Sequence, residues 1–317
     1  MRFTRKTNKK ALLFFVALLA AAFSVWAQVS LPPGLEIPRC PGNAAVFDCA
    51  NFDQSAAELS DGLGAGHSSA AAPGNNCQNA DSSQPAAPDH QIRDFQHYSL
   101  CYRESYEQAE WSAYCLRAFM LQKNTKRTND FRPDPQITTG SATLADYKRS
   151  GYDRGHLTPA GDMVFEKEAM SETFYMSNMC PQAAAFNRGI WKDLEDQVRE
   201  WVKLYGAAYV VSGPVLSKPA VEYPSIGESK VAVPEFFYKA ILVPIYKDGL
   251  EQASPEECED VIAIAFVIPN KNCAGDFWQY AMSVDEAEQI TGLDFFFLLE
   301  DDIEKRVEAD CDPRPWY

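Results

Sequence analysis

The chain has 317 residues, 46% of them hydrophobic and 23% charged, enough to bury a sizeable core in one large domain with appendages or in two smaller ones. Its formal charge is −15, which excludes broad binding of polyanions by counterion release and leaves only a local basic patch for such a role. Beyond the N-terminus no stretch is long and apolar enough to span a bilayer.

Arg2, Arg5, Lys6, Lys9 and Lys10 precede the apolar run from Ala11 to Ala22, and Val25-Trp26-Ala27 follows. This is the layout of a secretory signal with an A-x-A-like site, and it predicts cleavage after Ala27. An uncleaved anchor is the alternative, but the run is shorter than the roughly 20 residues a membrane span needs. The expected location is secreted or periplasmic, with no stable membrane association after cleavage. Removing a leader that carries five basic and no acidic residues takes the formal charge from −15 to −20. Acidity of that size suits solubility of an exported chain.

All nine cysteines lie after this leader and none forms a CxxC pair, which points to disulfides in an oxidising compartment rather than to zinc. Cys40 with Cys49 and Cys258 with Cys273 are the nearest expected pairs in sequence, and Cys180 is the candidate for the unpaired thiol. Residues 28–92 are rich in Pro, Ala, Ser, Gly and Asn and read as an extension and linker that cannot fold alone. His67 and His90 fall there and are expected to be solvated. Residues 93–317 form the expected functional domain.

Residues 98–103 and 111–119 alternate apolar and aromatic side chains with polar ones, as two antiparallel strands would. Residues 207–215, 235–243 and 261–268 are rich in Val, Ile, Phe and Tyr and bounded by Gly or Pro, and they predict further strands. Helices are predicted over 187–205 and 284–291, the second running into the apolar segment 293–299. Strands and helices without regular βαβ alternation predict an α+β fold with a mixed or antiparallel sheet core.

Two stretches carry candidate chemistry: Tyr152-Asp153-Arg154-Gly155-His156-Leu157-Thr158-Pro159-Ala160, and Asn187 followed eight residues later by Glu195. His97 adjoins an aromatic strand start and reads as structural. His156 sits between Gly155 and Thr158-Pro159, which presents it on a strand-to-loop corner. On an ideal helix Trp191, Leu194, Val198, Trp201 and Val202 form one buried face, and Glu195 flanks it. Glu195 would lie roughly 12 Å along the axis from Asn187, so one ion about 2.1 Å from a ligand atom is not held directly by both. The expectation is that Asn187 binds Mg²⁺ directly and Glu195 acts through coordinated water, with an ion pair to Arg199 as the plainer alternative for Glu195. An imidazole to take a proton from water, an oxygen ligand for a hard cation, a carboxylate and a guanidinium together suit phosphodiester hydrolysis.

Tyr152 to Leu157, then Ser177-Asn178-Met179-Cys180-Pro181-Gln182, then Asn187 to Glu195 resemble, in this order and spacing, the DNA/RNA non-specific endonuclease family. The resemblance runs over about 94–310 and includes Val233-Pro234, Phe237-Tyr238-Lys239 and Thr291-Gly292-Leu293-Asp294-Phe295-Phe296. It implies a ββα-metal site with His156 as general base, Asn187 as Mg²⁺ ligand, Glu195 in the hydrated metal shell, Arg154 beside the phosphate and Asn178 supporting the site. Arg127 matches the family's additional arginine, with Arg132 a rival. Cys180 stands where the family often has a small hydroxyl residue. The implied activity is Mg²⁺-dependent hydrolysis of DNA and RNA to 5′-phosphate and 3′-hydroxyl ends, with Mn²⁺ or another divalent cation as a possible substitute. The alternatives are a catalytically inactive binding protein of the same fold and a phosphodiesterase acting on small nucleotides.

Overall fold

Alternating side chains sort the long strands into two apolar faces, and this sorting organises the molecule. The computed structural model describes residues 89–246 and 258–316. Seven antiparallel strands form the main sheet: β1 (His90–Asp94), β2 (Ser99–Arg103), β3 (Gln108–Arg117), β6 (Ala207–Pro214), β9 (Phe236–Tyr246), β10 (Cys258–Pro269) and β11 (Ala281–Met282). Their spatial order is β1-β2-β3-β6-β9-β10-β11. Two small antiparallel pairs flank it, β4 (Asp153–His156) with β5 (Met179–Gln182), and β7 (Ser225–Ile226) with β8 (Val231–Ala232). The described residues also form six α-helices, α1 (Leu144–Tyr147), α2 (Lys167–Glu172), α3 (Ala184–Asn187), α4 (Ile190–Tyr205), α5 (Val284–Thr291) and α6 (Asp301–Glu308), besides short 3-10 turns. The fold is α+β, as the unalternated order of strands and helices predicts.

On β9, Phe237, Ile241 and Val243 join one core while Tyr238, Ala240 and Leu242 join the other. The period of two in a strand divides the residues this way, and burial on both faces turns the sequence into a continuous apolar run. The first face receives α4, whose Ile190, Trp191, Leu194, Val198, Trp201 and Val202 are all buried. The second face receives α5 and α6 through Val284, Ala287 and Val307, together with Leu293, Phe295, Phe296 and Leu299 of the connection between them. Ser283 caps α5 by accepting from the Glu286 N–H while the Glu286 carboxylate returns a bond to the Ser283 N–H, a reciprocal cap that sets where the helix starts.

Three expectations change. The helix expected over 187–205 is broken, with α3 ending at Asn187 and α4 starting at Ile190. Gly189 makes the break possible, because a Cβ there would stand 2.6 Å from the Ala185 carbonyl oxygen; the straight-helix spacing from Asn187 to Glu195 therefore does not apply. Cys258 opens β10 and Cys273 lies beyond its far end, so the expected pair is separated by a whole extended strand and is not bridged. His90 is not a solvated linker residue: it begins β1, and its Nε2 lies 3.2 Å from the Glu110 carboxylate. The leader over 1–27, nearly all of the extension over 28–92 and the Cys40–Cys49 pair lie outside the described residues. Among the described residues no helix is long and apolar enough to cross a membrane.

Trp201 anchors the C-terminal segment to α4. It is 1% exposed, meets Trp316 edge to face at 4.7 Å and donates from Nε1 to the Trp316 carbonyl at 2.9 Å. Trp201→Ala should lower stability by about 3–5 kcal/mol. The neighbouring but 60%-exposed Leu204 should lose no more than about 0.5 kcal/mol on change to Ala; denaturant unfolding of the two variants checks both values.

Candidate active site

The pairing of β4 with β5 puts His156 opposite Met179 and Gly155 opposite Cys180. A Cβ at position 155 would lie 2.1 Å from the Gln182 side-chain amide carbon, so any larger residue there would force the buried Gln182 side chain to move. His156, on the last residue of β4, is 9% exposed and meets Phe174 at 4.9 Å and Phe131 at 5.8 Å, both edge to face. Asn178 holds the corner that follows. Its Oδ1 accepts from the Thr158 N–H at 3.0 Å, and its Nδ2 donates to the carbonyls of Thr158 at 3.0 Å and Thr173 at 2.9 Å. Thr158 is tied in turn to Ser112 of β3 through their hydroxyls at 2.7 Å.

Within this setting His156 Nε2 is buried and has no protein partner. Burial, then the charges of Arg127 and Arg154, push its pKa down to about 3, so the ring is neutral at physiological pH and Nε2 has a lone pair to offer. The Arg127 guanidinium lies 4.8 Å from the Phe174 ring centre and donates from Nε to Asn129 at 2.9 Å. That of Arg154 lies 4.1 Å from the Phe131 ring centre. The rival Arg132 is committed elsewhere: its Nη1 donates to the Asp130 carbonyl at 3.0 Å, the Asp130 carboxylate at 2.9 Å and the Ser171 carbonyl at 3.0 Å, and it covers Tyr175 at 3.8 Å.

Asn187 reaches the same strand from α3. Its Nδ2 donates to the Asp153 carboxylate at 3.0 Å, which commits the nitrogen and not the oxygen of its amide. Asp153 also takes Arg188 at 2.8 and 2.6 Å. Burial acts against ionisation there, but the bonds from Arg188 and Asn187 outweigh it and hold the carboxyl below its usual range. Asp153 lies three residues before His156 on β4, so the imidazole and the amide are fixed to one strand. A groove of about 340 Å³ is lined by Leu144, Tyr147, Lys148, Tyr152, Asp153 and Arg154.

Glu195, one turn into α4, is largely enclosed, with 15% of its side chain exposed. Burial raises its pKa to about 7 against the opposing pull of Lys239 and Arg199. The expected pairing with Arg199 is loose at 3.7 Å; Arg199 holds Asp162 and Asp196 instead, each at 2.6 Å. Asp162 is further held by the Tyr114 hydroxyl at 2.7 Å. Glu195 therefore keeps oxygen capacity for other donors such as metal-bound water. The donor set of amide oxygen and carboxylate fits a hard cation such as Mg²⁺ and not zinc, and the nearby Cys180 thiol is buried with its pKa pushed up.

Three site residues had no role assigned from the sequence. Lys239 projects from β9 onto the α4 face, wholly buried, bonded to the Ser212 hydroxyl and 4.6 Å from the Trp191 ring centre. Burial lowers its pKa to about 8 while Glu195 and Asp162 act to raise it. Asp153 is the second, and Gln182, wholly buried with both amide atoms unpartnered, is the third. A lysine in the apolar run of β9 was the available signal for the first.

Because His156 is neutral when folded, its contribution to stability is complete above the unfolded value of 6.5 and is lost as pH falls toward about 3. Unfolding measured across that window should show His156→Asn with a pH slope shallower by about 1.4 kcal/mol per unit than the parent; equal slopes would contradict a buried neutral imidazole.

The family model described as DNA/RNA non-specific endonuclease matches residues 78–302. The mitochondrial Nuclease 1 of Schizosaccharomyces pombe is 40% identical over 185 residues, 55% of each chain. A nuclease of Nostoc sp. is 35% identical over 231 residues, 71% of this chain and 80% of that one. A crystal structure of the EndoG/EndoGI complex superposes with a TM-score of 0.59 at 31% identity, over 67% of this chain and 88% of that chain. The chain spans about half the length of the mitochondrial relatives it matches. With a family model matched over residues 78–302 and the Nostoc nuclease 35% identical over 71% of this chain, the chain belongs to the DNA/RNA non-specific endonuclease family.

Proposed function

We propose that this protein is an exported, Mg²⁺-dependent endonuclease that hydrolyses DNA and RNA alike to 5′-phosphate and 3′-hydroxyl ends. The observation that carries the reading is the buried, unpartnered Nε2 of neutral His156, set beside two guanidiniums and fixed to the same strand as the Asn187 amide. His156 takes a proton from water, the resulting hydroxide attacks phosphorus in line, the bond from phosphorus to the 3′ oxygen breaks, and that oxygen takes a proton from solvent to leave as the 3′-hydroxyl. Arg154 and Arg127 bind the phosphate oxygens and offset the charge that builds there. Asn187 would hold the ion through its amide oxygen, and Glu195 would act on it through coordinated water. Bound Mg²⁺ supplies Lewis-acid neutralisation of the phosphate and of the leaving 3′ oxygen. No residue in this scheme calls on a ribose 2′-hydroxyl, so both sugars are substrates. The groove lined by Lys148 and Arg154 offers a local cationic path on a chain of net charge −15. The basic and apolar leader ending at Ala27 supports export.

His156→Ala should fold and lose about 10²–10⁴-fold in hydrolysis of both polymers. EDTA should abolish cleavage by the parent. Turnover near that of the parent by the folded variant would sink the assignment. Indifference to EDTA with retained cleavage would sink the metal, and cleavage of dinucleotides but not polymers would favour a small-nucleotide phosphodiesterase.

The two arginines should separate in the same assay. Arg127→Ala should lower kcat at little cost in stability, whereas Arg132→Ala should lower the unfolding midpoint and spare kcat.

A further inference from the structure

Across the sheet from His156, the acidic residues of the two C-terminal helices converge. Asp285 and Glu288 lie one turn apart on α5, and Glu308 is the last residue of α6. One carboxylate oxygen from each lies within 4.8 Å of the other two. Glu308 is 5% exposed, and its Oε1 is buried with no partner. Glu288 is held in place from the other side, where one of its oxygens accepts the Phe295 N–H at 2.6 Å.

Three carboxylates this close, one of them only 5% exposed, repel one another unless something neutralises them. We propose that Asp285, Glu288 and Glu308 form a structural calcium site that clamps α6 to α5.

The spacing fits the ion. Calcium takes oxygen ligands at roughly 2.3–2.6 Å, so two ligands on one ion stand at most about 5 Å apart. Three carboxylates with no nitrogen or sulfur donor select a hard cation over zinc. Calcium accepts irregular geometry and completes its shell with water from the half-exposed Asp285 side, whereas magnesium demands a near-ideal octahedron.

The electrostatics agree. Burial, then the neighbouring Glu288, Glu304, Asp285 and Asp294, raise the Glu308 pKa to about 9. Burial likewise raises Glu288 to about 7, helped by Asp294 and Asp285 and opposed by the Phe295 N–H. The charged groups that bear most on Glu308 are all acidic, and a bound divalent cation would supply the missing positive charge.

This inference does not rest on the nuclease reading. α5 and α6 pack on the face opposite α4, so the two sites are separated by the thickness of the sheet. The test uses the full chain carrying Asn187→Ala, which removes the proposed catalytic ligand so that bound metal reports the second site. After EDTA treatment and dialysis, calcium titration by calorimetry should find one ion per chain, with a dissociation constant on the order of 10⁻⁴–10⁻³ M or tighter. Thermal unfolding should shift upward with calcium. Glu308→Gln on the same background should unfold in EDTA at about the same temperature as its parent, since the metal-free Glu308 carboxyl is already held neutral, and should bind calcium at least tenfold more weakly. Absence of bound calcium, or a calcium response unchanged by Glu308→Gln, would overturn the site and leave the carboxylates neutralised by protons alone.

Discussion

The candidate catalytic centre depends on a neutral imidazole kept dry, and the side chain of Asn178 makes that possible. Its three hydrogen bonds close the turn after β4 on both sides, to Thr158 and to Thr173. Each is worth about 0.5–1.5 kcal/mol net, and each would cost more if left unmade in a buried site. With the turn fixed, Phe131 and Phe174 enclose the ring of His156. The enclosure and the two arginines suppress protonation together, so a single arrangement sets the position and the ionisation state of the base.

The same arrangement answers the difficulty raised by net charge. A formal charge of −15 repels a polyanion at long range. Close to the site, however, the nearest charges to His156 are guanidiniums, and the acidic groups are committed to partners: Asp153 to Asn187 and Arg188, and Asp162 to Arg199 and Tyr114. Glu195 is balanced by Lys239, each drawn toward its neutral form by burial and held in its charged form by the other. Acidity is thus a property of the surface as a whole, while the cavity beside β4 presents cations.

Much of this was legible in the sequence because it follows from period and spacing. The buried stripe of α4 was readable from Trp191, Leu194, Val198, Trp201 and Val202, all buried. Helix α5 starts and stops where the periodicity and Gly292 place it. The strands β6, β9 and β10 were marked by β-branched and aromatic runs, with ends displaced by up to three residues. What escaped was set by contacts between distant residues. The break before α4 turns on a glycine Cβ that would strike a carbonyl. Separation of Cys258 from Cys273 reflects a strand that extends beyond its apolar centre. Burial of Glu308 runs against a helix whose other residues are mostly charged and exposed, and only its packing against α5 reveals it.

Strand β9 is where these themes meet, because its alternation forces adjacent residues to serve opposite faces. Tyr238 points to the α5 side and donates its hydroxyl to the Glu110 carbonyl of β3 at 2.9 Å. Lys239, the next residue, points to the α4 side and stands over Trp191. A shift of one residue in register would exchange them, placing a lysine beside Phe295 and a tyrosine on the side of Glu195. The pairing Ser212↔Lys239 with β6 and Phe266↔Lys239 with β10 fixes that register from both sides. The charge that balances Glu195 is therefore held by the ladder hydrogen bonds of the central sheet, and the electrostatics of the site are as stable as the core itself.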